Sequence, residues 1–292
     1  EDVKNIYENI PRGFSNFRKK CEKYLKVNSP ISIPKPLNKD NLLEVDYDIP
    51  NLNDLGFEEF EFNENSVFKF YGGETAGKSR VDDYFFRTKN VSNYKHTRNG
   101  LLGKNYSSKF SSWLANGSLS ARYIYKKLME YENDIEKNES TYWLFFELLW
   151  RDFFKYVSMQ HRNKFFSKDG IYGNEKEWSN ENSKIESWIN GETKETFVNA
   201  NMRELASTGF MSNRGRQNVA NYLTKELKVD WRIGAEYFEA FLVDYDVHSN
   251  YGNWLYNAGI GNDSMPFRKF NPTLQSERYD PNKDYENTWL NE

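Results

Sequence analysis

The sequence is poor in the residues that build disulfides and metal sites. It contains one cysteine, Cys21, in 292 residues, so no disulfide can form within the chain. That usage favours a reducing, intracellular compartment, without distinguishing cytoplasm, nucleus and organelle. The three histidines, at positions 96, 161 and 248, have no metal-ligand spacing, so no metal is expected. No apolar run reaches membrane-spanning length and no secretory signal is visible, so no membrane partner is expected.

Excess positive charge is missing as well. The formal net charge is −3 and the pI is about 5.9. Nucleic-acid binding would therefore depend on a local basic patch rather than on the charge of the whole chain. A G-x-S-x-G elbow and a Walker A motif are both absent, which excludes the α/β-hydrolases and P-loop NTPases that depend on them.

Proline is absent between Pro50 and Pro266. Proline breaks helix interiors, so this long gap permits an almost wholly helical domain. Aromatic residues make up 17% of the chain and can fill a sizeable core. Residues 40–64 contain no Lys or Arg and follow a proline-rich stretch, which indicates a solvated connector. We therefore predict an all-α fold with a connector over residues 1–66 and a helical domain over 67–292.

The strongest helix signal runs over residues 142–151, with Ser140 as the candidate N-cap. Its apolar residues surround nearly the whole circumference, so the helix should lie centrally. Glu147 and Arg151 are four residues apart and can meet on one face. Two further helices are predicted, 213–227 and 230–243, the latter capped by Asp230.

Four patterns could carry chemistry, and each has an ordinary structural alternative. Hydroxyls and a lysine over 106–111, ahead of a helix, could bind an anion, although an ordinary capped helix is the favoured interpretation. Arg214 and Arg216 diverge on a helix, so one could meet a buried carboxylate and the other a phosphate; both could equally be surface residues.

Residues 244–254 hold two carboxylates and two carboxamides in an aromatic stretch. A polar ring system such as a flavin would satisfy them, and a turn with helix caps is about as good an interpretation. The eight tryptophans could relay electrons, but tryptophans in helical proteins more often pack in the core.

Taken together, these segments resemble the photolyase/cryptochrome family, and most closely its DASH type. The resemblance covers residues 67 to the end, with a weaker likeness over 11–19. It is carried by residues 97–103, 106–111, 140–152, 200–205, 208–217, 244–261, 279–281 and 289–290.

The resemblance implies an all-helical domain that holds FAD in a folded, U-shaped form. Tyr94 and the run Ser107, Ser108, Lys109, Phe110 and Ser111 would hold the adenine side and the phosphates. Arg216 would pair with Asp244 beside the flavin, Asp246 would bind its polar edge, and Asn250 would face N5. Glu147, Arg151 and Asn213 would complete the cofactor site. An electron relay from the flavin to the surface would consist of Trp254, Trp231 and Trp178.

The implied substrate is DNA that contains a pyrimidine dimer. Glu147 would hydrogen-bond a flipped-out dimer and stabilise the radical anion formed on electron injection. Trp150 and Tyr256 would form apolar walls, with Asn213 and Gln217 as polar contacts. At positions 256 and 217 the Tyr and Gln side chains resemble those of the DASH type, which favours lesions in single-stranded DNA. The expected contacts to backbone phosphates are Arg98 and Arg214.

Three departures from the family pattern matter. Residues 192–199 lack the usual tight turn, proline and aspartate, which puts local stability in doubt. Residues 261–266 lack the usual basic continuation, which could weaken DNA binding. The N-terminal α/β domain is not in this chain, so a folate-type antenna is not expected on it; a separate antenna domain or chain could supply one.

Three functions remain open at this stage. The leading hypothesis is a light-driven pyrimidine-dimer lyase that uses reduced FAD and prefers single-stranded DNA. The second is a blue-light photoreceptor with little or no repair, which needs the flavin and the tryptophans but not the chemistry of Glu147. The third is a binding or structural remnant without flavin.

Overall fold

The computed structural model of this chain describes residues 2–32, 34–43, 45, 48–58 and 60–291. Positions 1, 33, 44, 46, 47 and 59 of the predicted connector, and residue 292, lie outside the described residues. Helices dominate, and the β pairing in the described part is an isolated bridge between Ser179 and Val229. The predicted all-α fold is therefore confirmed. None of the described helices is long and apolar enough to cross a bilayer.

The α-helices are α1 (Phe14–Tyr24), α2 (Glu74–Asp82), α3 (Tyr94–Thr97), α4 (Ser111–Ala115), α5 (Ala121–Asp134), α6 (Glu139–His161), α7 (Asn182–Ile189), α8 (Thr196–Thr208), α9 (Asn213–Asn221), α10 (Trp231–Phe241), α11 (Val247–Ala258), α12 (Pro272–Tyr279) and α13 (Asp284–Leu290). Short 3₁₀ segments cover Asp2–Asn5, Lys39–Asn41, Asn53–Leu55, Asn90–Asn93 and Arg162–Phe166, and π turns cover Asp83–Arg87 and Tyr222–Glu226.

The long helix α6 connects two hydrophobic cores, as its apolar circumference predicts. Leu144, near its N-terminus, packs with α2 to α5, while Leu149 and Phe153 pack with α8 to α11. The predicted N-cap is wrong by two residues. Asn138 is the cap, because its extended backbone lets its Oδ1 accept from the N–H groups of Ser140 and Thr141. Ser140 lies inside the first turn.

The other two predicted helices end close to where the structure ends them. The predicted helix 213–227 corresponds to α9 together with the π turn that continues it to Glu226. Asp230 caps α10 as expected, but the helix ends at Phe241 rather than at 243. The N–H of Val243 donates instead to the carbonyl of Gly209 (2.9 Å), which draws the chain out of the helical path.

The N-terminal region is divided in its packing. Phe14, Phe17 and Cys21 of α1 are buried in the larger core against α6, whereas many described residues between 26 and 61 are exposed. The boundary at residue 66 stays a prediction.

The altered turn before α8 is held by a side chain. Asn199 accepts from the backbone N–H and the hydroxyl of Thr193 (2.8 and 2.7 Å) and donates to the Thr193 carbonyl (2.8 Å). These three hydrogen bonds close the turn without a proline, and the effect of the altered segment on local stability stays a prediction.

Candidate functional site

A cavity of about 300 Å³ lies where the two cores meet, a size typical of cofactor sites. Its walls come from α3, α4, α6, α9, α11 and the loop before α4. All thirteen residues predicted for the cofactor site line it: Tyr94, Ser107, Ser108, Lys109, Phe110, Ser111, Glu147, Arg151, Asn213, Arg216, Asp244, Asp246 and Asn250. Arg98, Gln217 and Trp254 line it as well.

One end of the cavity is suited to an anion. Lys109 has a left-handed backbone (φ 62°) and is 3% exposed. Its Nζ has no hydrogen-bond partner among the described residues and lies 3.1 Å from the centre of the Tyr106 ring and 4.7 Å from that of Phe210. Burial lowers the pKa of this amine well below its usual value. A buried, unpaired amine in a cavity fits an anionic group such as a cofactor diphosphate.

An ion pair lines the cavity close to the same end. Nη2 of Arg216 donates to both carboxylate oxygens of Asp244, at 2.9 Å each, and its Nε donates to the Met211 carbonyl. Arg214 points elsewhere: it donates to Oδ1 of Asn99 (2.8 Å) and stacks over the Tyr279 ring. The two arginines diverge, as their spacing indicates.

The start of α11 brings two polar side chains to the cavity. Asp246 caps the helix, with Oδ1 accepting from the N–H of Ser249 (2.8 Å). Asn250 donates from Nδ2 to the Ala235 carbonyl (3.0 Å). These contacts occupy the amide nitrogen of Asn250 and one carboxylate oxygen of Asp246. The amide oxygen of Asn250 and the other carboxylate oxygen of Asp246 can therefore meet the polar edge of a ring.

Glu147 pairs with Arg98, and no ion pair joins it to Arg151 among the described residues, although helical spacing allowed one. Arg151 donates to the Leu114 carbonyl and lies near Asp152 instead. Burial raises the pKa of Glu147, although Arg98 opposes that change. Arg98, predicted as a phosphate contact, is thus engaged with the carboxylate.

The other predicted substrate residues are distributed over two cavities and the packed core next to them. Arg214, Gln217 and Tyr256 line a second, more polar cavity of about 360 Å³ that also contains Arg268 and Arg278. Trp150 borders neither cavity. Its ring is stacked on that of Phe14 (3.7 Å between centroids) and meets Tyr256 edge-on (5.8 Å). The sequence did not indicate that Phe14 stacks on Trp150, because this contact joins two separate helices, α1 and α6.

The three relay tryptophans occupy different environments. Trp254 and Trp231 are buried and Trp178 is half-buried. The rings of Trp254 and Trp188 meet edge-on at 6.2 Å, while Trp231 contacts Tyr251. Among the described residues, no ring contact joins the three relay tryptophans to one another. The order of the proposed relay stays a prediction, and Trp188 is a neighbour that the sequence did not single out.

The sequence also did not indicate a buried acid that lies behind the anion end of the cavity. Glu204 of α8 is fully buried and accepts from the hydroxyl of Tyr285 in α13 (2.6 Å). Its other carboxylate oxygen is unpaired among the described residues, and burial raises the pKa of Glu204 to about 7, opposed by Tyr285, Lys109 and Arg216. A glutamate within a helix looks like a surface residue in sequence, so nothing signalled it. No group of three or more His, Cys, Asp or Glu in the described part could hold a metal ion.

The family model that describes the FAD-binding domain of DNA photolyase matches residues 143–292. A cryptochrome DASH from Gloeobacter violaceus is 49% identical over 293 aligned residues, which cover 100% of this chain and 58% of that protein. One from Danio rerio is 47% identical over 97% of this chain and 54% of its own length.

Solved structures agree. A Synechocystis cryptochrome superposes with a TM-score of 0.89 at 47% identity, over 97% of this chain and 59% of the other. A class III photolyase from Agrobacterium tumefaciens gives a TM-score of 0.85 at 26% identity, over 100% and 60%. This chain thus spans about three fifths of the length of these relatives, and it matches the DASH type as its sequence indicates.

Proposed function

This chain belongs to the photolyase/cryptochrome family, and we propose that its helical domain binds FAD in the cavity between the two cores. Lys109 would hold the cofactor's phosphates, since its buried amine has no hydrogen-bond partner among the described residues. Asp246 and Asn250 would meet the polar edge of the flavin, and the Arg216–Asp244 pair would stand beside it. The bound cofactor would supply light-driven electron transfer.

The activity that we propose is repair of cyclobutane pyrimidine dimers in DNA. The observation that carries it is Glu147, a half-buried carboxylate at the cavity whose pKa is raised by burial. A protonated or hydrogen-bonded carboxyl at this point can stabilise negative charge that develops on a pyrimidine carbonyl. To bind the lesion, Glu147 must give up at least part of its ion pair with Arg98 and form a contact with the pyrimidine instead.

A preference for single-stranded DNA is supported by the second cavity. Arg214, Arg268 and Arg278 bring positive charge to its wall, which also holds one carboxylate, that of Asp263. Gln217 lines both cavities. A polar cavity of this kind suits a flexible strand, whose phosphates and splayed bases can enter it.

The test uses protein loaded with FAD and photoreduced, and a single-stranded oligonucleotide with one cyclobutane dimer. Blue light should restore the absorbance of the intact pyrimidines. The repair rate should fall by roughly thirtyfold or more for Glu147→Gln, since a lost charge-stabilising contact costs about 2 kcal/mol or more. Glu277→Gln, an exposed site on α12, is the matched control and should repair normally. Flavin-loaded, photoreduced protein that leaves the dimer intact contradicts the proposal.

A blue-light photoreceptor is the second candidate, and the Arg98–Glu147 ion pair favours it. A carboxylate that stays paired with an arginine is not free to bind a lesion. In that case, Glu147→Gln should leave photoreduction of the flavin unchanged and the wild-type protein should show little repair. Repair by the wild-type protein that collapses in the variant supports the lyase instead.

A further inference from the structure

A buried arginine lies directly behind the anion end of the cavity. Arg80 of α2 is 3% exposed and does not line the cavity. The rings of Phe68 and Tyr84 lie on its guanidinium, at 5.0 and 4.9 Å from the two ring centres. Burying a cation in this way is unfavourable unless all of its donors are bonded.

All five N–H groups of Arg80 have acceptors. Nε donates to the Ser108 carbonyl (3.0 Å), and Nη2 donates to the carbonyls of Lys104 (2.9 Å) and Ser107 (3.2 Å). Nη1 donates to Oδ1 of Asn105 (3.2 Å) and to Asp83 (2.9 Å). A guanidinium has five donors, so Arg80 is fully satisfied, and four of its five acceptors belong to residues 104–108.

This arrangement fixes the direction of the peptide groups in the loop. In a trans peptide the carbonyl and the following N–H point in opposite directions. Because the carbonyls of Ser107 and Ser108 point at Arg80, the N–H groups of Ser108 and Lys109 point away from it. Both residues line the cavity, and neither N–H donates to another described residue. The unpaired amine of Lys109 lies in the same loop.

We propose that Arg80 is a positioning residue for the diphosphate of the cofactor. It turns the carbonyls of Lys104, Ser107 and Ser108 toward itself. It thereby presents the N–H groups of Ser108 and Lys109 to the anion, without touching the ligand. The inference rests on the proposed binding of FAD and adds how the phosphate end of that site is built.

The test compares FAD with riboflavin, which has the flavin ring but no phosphate. For Arg80→Gln and Arg80→Lys, the dissociation constant of FAD should rise about tenfold or more, whereas that of riboflavin should change by less than about threefold. Lysine keeps the charge but has three donors on one atom, so it should rescue only part of the loss. Arg87→Gln, at an exposed arginine just beyond α2, is the matched control and should leave both constants unchanged.

Equal weakening of FAD and riboflavin, or unchanged FAD binding, overturns the inference. If both Arg80 variants fail to fold, amide hydrogen exchange is measured on the unmodified protein instead. FAD, but not riboflavin, should then slow exchange at residues 108 and 109; equal slowing by both ligands, or none, overturns the inference. Wild-type protein that binds no FAD at all overturns the proposed function itself, whereas a failure confined to the variants leaves it standing.

Discussion

Replacing the buried acid Glu204 with glutamine should change how stability depends on pH. Its carboxyl is fully buried in α8, receives one hydrogen bond from Tyr285, and has a pKa raised from its ordinary value of 4.5 to about 7. The cause is burial, which disfavours the ionised form more than the neighbouring Tyr285, Lys109 and Arg216 favour it.

The direction of this pH dependence follows from which state, folded or unfolded, binds the proton. In the unfolded chain Glu204 ionises near pH 4.5, and in the folded protein it stays protonated until about pH 7. The folded state therefore binds the extra proton across this window, and stability falls as the pH rises through it. At about 1.4 kcal/mol for each pH unit, the loss is roughly 3 kcal/mol. Glutamine resembles the protonated acid and cannot lose that proton.

The measurement is urea unfolding of the wild type and of Glu204→Gln at about pH 5 and about pH 7.5. Other titrating groups are common to both proteins, so the difference between the two pH dependences isolates Glu204. The variant should gain roughly 2 to 3 kcal/mol relative to wild type between the two pH values. Glu277→Gln, at an exposed site, should gain nothing. An identical pH dependence in wild type and Glu204→Gln refutes the reasoning.

Three further substitutions test the surroundings of the site. Gly234→Ala should destabilise the protein by about 1 to 2 kcal/mol in urea unfolding, because its Cβ would lie 2.2 Å from the Trp254 ring. This clash exceeds the gain in helix propensity, and unchanged stability would contradict the packing. Trp254→Phe should strongly slow photoreduction of the bound flavin under continuous blue light, because phenylalanine is much harder to oxidise; an unchanged rate removes Trp254 from the relay. Phe14→Ala should cost about 3 kcal/mol in urea unfolding and weaken binding of dimer-containing DNA, because Trp150 loses its stacking partner; normal stability and binding contradict that role.

The sequence predicts the parts of this molecule that depend on local pattern. The proline-free stretch and the apolar circumference of α6 predict an all-helical fold with a central helix, and Asp230 is a helix cap in the structure as in the sequence. The resemblance also indicates the loop 106–111 and the start of α11, and both line one cavity.

What the sequence does not predict depends on contacts between distant elements. Arg98 and Glu147 lie 49 positions apart, and helical spacing allowed a contact with Arg151 instead. Arg80 and Glu204 look like ordinary charged residues of surface helices, because burial is not visible from charge pattern alone. Phe14 contacts Trp150 only because α1 folds back on α6.

The central claim is that the cavity between the two cores binds FAD, and the most direct measurement is its occupancy. Purified protein is incubated with excess FAD, separated from free cofactor by gel filtration, and examined by visible absorption before and after blue light. The account predicts about one flavin per chain, retained through the column and photoreduced by light with an electron donor. Protein that elutes without flavin absorption contradicts it.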